Sequence, residues 1–156
     1  MKYFSLAELT ASETARRKNI VNVPNDEERL NLIALVGAVL DPLRERYGKP
    51  INVSSGFRCR ALNKNVGGVT GSQHCKGEAA DIYSKEGAAA NYELGRLIAE
   101  RGMFDQLIFE NVGKSDLLPQ WIHVSWRRTG DNRGNIMKKV KGKSGYIAVN
   151  RKELGL

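Results

Sequence analysis

Leu32, Leu35, Val36, Val39, Leu40, Leu43 and Tyr47 recur at helical spacing and form one apolar stripe, the strongest periodic signal in the chain. The stripe predicts a helix capped by Asn25, with Glu28 three residues on and the acids Asp26 and Glu27 at its positive end. Pro42 kinks that helix or begins its last segment, and Gly48 ends it. Ahead of it, Ser5-Leu6-Ala7-Glu8 has capping-box spacing, and a second short helix fits residues 12–18. Residues 51–55 alternate like a strand. Residues 59–77 hold four glycines and few large apolar groups, which predicts a loop with at most a short helical turn. A strand follows around residues 79–83, then a helix over 91–101 with Leu94, Leu97 and Ile98 inward and Gly102 at its end. Residues 106–110 and 121–126 read as strands joined by a polar connection. The expected class is α+β: a helical N-terminal half packed on a small, mainly antiparallel sheet.

The 156 residues suit one domain, 1–156, with its own core, and 41% hydrophobic with 27% charged residues is the balance of a soluble globular chain. No apolar run approaches the ~18–20 residues that span a bilayer. The start, Met1-Lys2-Tyr3-Phe4-Ser5, lacks a secretory pattern, so synthesis in the cytoplasm is expected, with later release if the protein acts outside. Cys59 and Cys75 form no C-x-x-C pair and are expected to stay reduced. The net charge of +8 is concentrated in a basic C-terminal segment from about residue 127, with nine Lys or Arg against two Asp or Glu. Such a segment suits a polyanion such as anionic cell wall, or is simply a solvated edge. Nucleic acid is not expected as a partner, because Tyr146 is the only aromatic among those lysines. A monomer is expected.

The chain has two histidines, and histidine is the commonest metal ligand. On a strand at 121–126, Trp121, His123 and Ser125 share one face while Ile122, Val124 and Trp126 share the core face. A strand at 79–83 puts Asp81 opposite Ala80 and Ile82, and an acid there is costly to bury unless it is paired or binds a metal. Two imidazoles and a carboxylate on one sheet face would satisfy zinc and leave a position for water. Periodicity alone leaves a second reading, in which His74 and His123 are unrelated.

The motif Ser72-x-His74-x-x-Gly77-x-Ala79-x-Asp81 resembles the zinc signature of the D-Ala-D-Ala carboxypeptidase and L-alanyl-D-glutamate endopeptidase group, which shares its fold with the hedgehog signalling domain. Ser54-Ser55-Gly56-Phe57-Arg58 is similar to the loop before that motif, Asn63 with Val66-Gly67-Gly68 to its continuation, and Trp121-Ile122-His123-Val124-Ser125 to the strand bearing the third ligand. The likeness covers residues 4–126 and is nearest to small phage-type or bacterial members. It implies one zinc per chain on His74, Asp81 and His123, and hydrolysis of peptide bonds in peptidoglycan stem peptides. Arg58 would bind a substrate carbonyl or carboxylate. Several relatives carry the catalytic base as E-x-x-H, but here that position is Gln120, a neutral amide. Glu110 is the first candidate for the base, with Asp105 and Asp116 behind it. The departure keeps an alternative open: a non-catalytic, zinc-stabilised binding domain on the same fold.

Overall fold

The computed structural model describes residues 1–156. Two short helices, α1 (Leu6–Thr10) and α2 (Glu13–Arg17), precede α3 (Asp26–Leu35), and Ser5 and Asn25 close the expected capping boxes with Glu8 and Glu28. The apolar stripe continues from α3 through a π-helical stretch, Val36–Leu40, into α4 (Asp41–Tyr47). Pro42 lies in the first turn of α4, so it begins the last segment as its fixed φ favours. Its missing N–H leaves the Ala38 carbonyl without a helical donor, and the Arg101 guanidinium bonds that carbonyl instead.

Strand β1 (Asn52–Ser55) leads to α5 (Arg60–Asn65) and a 3₁₀ turn, Gln73–Lys76. Residues 59–77 are therefore more helical than their glycines suggested. Leu62 and Asn63 are buried on the inner side of α5, and two such anchors suffice for a six-residue helix too short to show periodicity. Then come β2 (Ala79–Tyr83), α6 (Ala88–Arg101), β3 (Gln106–Val112) and β4 (Trp121–Ser125). Strand β3 runs two residues beyond its expected end, through a bulge at Asn111, whose φ of +61° breaks the register after Glu110. The C-terminal segment holds β5 (Asn135–Val140), β6 (Ile147–Ala148) and a final 3₁₀ turn, Arg151–Leu154.

The six strands lie in the order β1-β2-β4-β3-β5-β6, all neighbours antiparallel except β3 and β5. One sheet face packs on the helices. Ala80, Ile82, Leu107, Phe109, Ile122 and Val124 from that face join Leu32, Leu35, Val36, Val39 and Leu40 in a continuous apolar cluster that reaches from Phe4 to Leu154. The opposite face is where polar and titratable side chains collect. No helix is long and apolar enough to cross a membrane.

Candidate metal centre

Register places the site. Asp81 on β2 and His123 on β4 are direct antiparallel partners, and Ile108 on β3 is the next residue in the same row. His123 Nδ1 lies 2.9 Å from Asp81 Oδ1. His74 arrives from the 3₁₀ turn and sets Nε2 3.4 Å from the same oxygen. The two imidazoles stand edge to face, with centroids 5.1 Å apart. One ligand atom from each of His74, Asp81 and His123 thus falls within a sphere of contacts no wider than 4.8 Å.

The local sequence explains why His74 is held so firmly. Ser72 caps the turn, its Oγ accepting from the His74 amide at 3.3 Å. Gly77 ends it at φ +70°, and a Cβ there would meet the Glu28 carbonyl oxygen at 2.2 Å, so the motif glycine is demanded by both backbone and space. Gln73 donates to Glu78 and Asp105, bracing the ligand turn from below. His74 Nδ1 donates to the Gly56 carbonyl at 2.7 Å, which fixes the tautomer and leaves Nε2 as a free lone pair.

Arg58 lies beside Asp81 rather than apart from it. Its Nε donates to Ser55 Oγ at 2.8 Å, Nη1 to Asn63 Oδ1 at 3.3 Å and Nη2 to Asp81 Oδ2 at 3.2 Å. Asp81 therefore divides its oxygens, Oδ2 to the guanidinium and Oδ1 to the histidines. Burial opposes its charge, yet the neighbouring His74 and His123 outweigh burial and hold the carboxyl well below the usual range. Burial also lowers the pKa of His74, favouring the neutral ring. A neutral imidazole and an ionised carboxylate are the protonation states a metal needs.

These donors suit zinc. Nitrogen and oxygen ligands at about 2.0–2.2 Å in a tetrahedron stand roughly 3.3–3.5 Å apart. The 3.4 Å His74–Asp81 separation meets that spacing, and the 2.9 Å His123–Asp81 contact requires only a small opening.

Glu110 extends from the site face of β3, in register with Trp121 on β4 and Lys139 on β5, one row along from His123. Burial raises its pKa, the Asp81 charge adds to this, and His123 and Lys139 oppose it. Gln120 turns outward, its Oε1 accepting from Asn111 Nδ2 at 2.6 Å. Asp116 is spent on its own loop, accepting from the amides of Gly113 and Leu118. Asp105 is fully buried and accepts from Gln73 and from the Arg133 amide, Nε and Nη2, with Arg127 Nε at 3.4 Å. Nothing in the pattern around Asp105 marks it as this hub. Its arginines are contributed by a segment 22 and 28 residues away in sequence, read there only as basic.

A two-histidine, one-carboxylate donor set on the sheet face, with a further carboxylate beside it, is one that zinc hydrolases use. The chain belongs to the peptidase M15 family, whose family model matches residues 2–125. It is also similar to the zinc D-Ala-D-Ala carboxypeptidase of Streptomyces albus G, with 48% identity over 44 residues, which is 28% of this chain and 17% of that protein. Strands β5 and β6 lie beyond the family-matched residues.

Proposed function

We propose that the protein hydrolyses peptide bonds in the stem peptides of bacterial peptidoglycan, using one zinc ion per chain. The observation that carries this reading is the convergence of His74 Nε2, Asp81 Oδ1 and His123 Nδ1 in a peptidase M15 chain. The substrate class is suggested by the Streptomyces relative, a D-Ala-D-Ala carboxypeptidase that shares the short matched stretch.

Zinc bound there supplies Lewis acidity and makes water a nucleophile near neutral pH. The chain's residues do the rest. Asp81 and the two histidines would hold the ion, and Arg58 aims Asp81 by donating to its Oδ2. Three of the five guanidinium N–H groups of Arg58 are engaged, and the remaining two serve a substrate carbonyl or carboxylate. Glu110, beside the ligands, accepts a proton at its carboxylate and returns it to the leaving amine. Its raised pKa suits that exchange. Lys138, Lys139, Lys141 and Lys143 form no salt bridge and give the β5–β6 side a charge suited to anionic wall.

Gln120 at the E-x-x-H position supports a second reading, the zinc-stabilised binding domain. Digestion of purified peptidoglycan with the zinc-loaded protein, followed by mass spectrometry of the fragments, separates the two. Defined peptide cleavage that stops with chelator supports hydrolysis. Wall binding without fragments supports the binding domain.

A further inference from the structure

The site face does not end at the metal ligands. The row through Trp121 and Glu110 continues to Lys139 on β5, and Tyr146 stands at the start of β6 next to it. The Lys139 Nζ lies 5.3 Å from the centroid of the Tyr146 ring, so the ring face steadies the ammonium. The Tyr146 hydroxyl pKa is raised by burial and then by Glu110 and Asp81, which places the ring within the field of the site's carboxylates.

Lys139 is a half-buried cation without an anion. It forms no ion pair within 4.0 Å, although Glu110 is its register partner. The other cations near the site each face an acid: Arg58 donates to Asp81 and keeps two N–H groups free, and Arg127 and Arg133 are held by Asp105.

We infer that Lys139, backed by Tyr146, forms a carboxylate-binding subsite for the peptide substrate, on a part of the chain beyond its family-matched residues. The inference rests on the peptidase reading and deepens it. Lys139 lies two strand spacings of about 4.8 Å across the sheet from His123 and two residues of about 3.3 Å along it, about 12 Å in all, and an extended peptide advances about 3.3 Å per residue. The carboxylate recognised is therefore three to four residues from the bond held at His123. Stem peptides, which carry free carboxyl groups at such intervals, are the fitting chemistry. A neutral peptide would leave the ammonium unpaired.

The test uses two synthetic stem peptides that differ only in having that acidic group as carboxylate or as carboxamide. Binding to the zinc-loaded chain is read by rapid mixing before turnover, and KM and kcat are read afterwards. The parent is expected to bind the carboxylate peptide about tenfold more tightly, the scale of one charge-assisted hydrogen bond. Lys139→Gln should erase that preference through KM, with any change in kcat the same for both peptides. Lys139→Arg should restore most of it. Comparing two peptides on one variant cancels any influence of Lys139 on Glu110, and zinc content with thermal melting confirms folding. A parent that shows no preference, or a Lys139→Gln variant that keeps it, overturns the subsite. A parent that prefers the carboxylate but cleaves neither peptide supports the subsite and overturns the peptidase reading alone.

Discussion

Asp81 and His123 are register partners on adjacent antiparallel strands, and their side chains meet at 2.9 Å on the face turned away from the core. A one-residue slip of β2 against β4 would send both into the apolar layer, so the core that fixes the register also assembles the metal site.

Metal content should follow that pairing. The purified protein is expected to carry about one zinc per chain, and His74→Ala, Asp81→Ala and His123→Ala should each greatly weaken binding. Elemental analysis after dialysis against a weak chelator reads the result. Full occupancy in a His74→Ala/His123→Ala double variant would remove the site from consideration.

Glu110→Gln keeps the shape of the side chain and deletes the proton acceptor. It should bind zinc as the parent does and cleave wall peptide at least about a hundredfold more slowly, the lower end of what a general base contributes. Gln120→Ala, on an amide that faces Asn111, should be far milder. Near-parental turnover by Glu110→Gln would reject the assignment. With Asp105 buried under arginines and Asp116 folded into its own loop, the base would then have to be found among groups brought by the substrate or the wall.

Gly56 makes no contact with metal, yet its carbonyl holds the His74 ring and its Cα lies against α1. A Cβ there would stand 2.2 Å from the Leu9 carbonyl oxygen. Gly56→Ala should push that backbone aside and lower zinc affinity about 10–100-fold, as losing a ligand's supporting hydrogen bond does. Gly37→Ala, with open space around the new methyl, is the matched control and should leave affinity unchanged. Equal zinc affinity in the two variants would detach Gly56 from the site.

Asp105 predicts a pH signature in stability. Burial alone would raise its pKa, but the hydrogen bonds from Arg133, with help from Gln73, hold it at about 2 against an ordinary 3.8. A carboxyl depressed on folding stabilises the native state above its unfolded pKa, and that contribution is lost as pH falls through its folded value. Asp105→Asn should therefore cost about 2 kcal/mol at pH 7. In urea titrations the gap between parent and variant should stay constant above about pH 5 and shrink between about pH 4 and pH 2. A gap that does not change with pH would assign the loss to packing.

Attraction to wall should depend on salt, because exposed charges are screened over about 8 Å at physiological ionic strength. Replacing Lys138, Lys139, Lys141 and Lys143 by Gln should weaken co-sedimentation with cell walls at low salt and spare zinc content. Equal sedimentation of variant and parent would reduce the lysines to a solvated edge.

Much of this molecule could be read from its residues, for reasons that differ by element. The stripe from Leu32 to Tyr47 announced a helix because six of its residues are buried along one side, and even Pro42 fell where its ring is tolerated. The π-helical turn at Val36–Leu40 keeps the same apolar face, so periodicity could not reveal it. His74, Asp81 and His123 were legible as a group through the resemblance of their motifs to a zinc signature, since strand alternation alone left the two histidines unrelated. The Asp105–Arg133 clamp and strands β5 and β6 were not, since a parallel partner chosen across the sheet leaves no local trace. The basic segment also proved to be two populations. Arg127 and Arg133 turn inward to Asp105, Arg128 to Asn31 and Arg151 to the Ala99 carbonyl, while the lysines stay unpaired.

The parallel pairing of β5 with β3 also bears on which strand edge the sheet exposes. Ended at residue 125, the chain would leave β3 as an outer strand seven residues long, with Leu107, Ile108 and Phe109 beside a bare row of amides and carbonyls. Such a border recruits strands from other molecules. Strand β5 seals it and passes the border to β6, which is two residues long and lies against a lysine-rich strand. A border that short and that positively charged is a poor template, so the C-terminal strands act as a guard against aggregation.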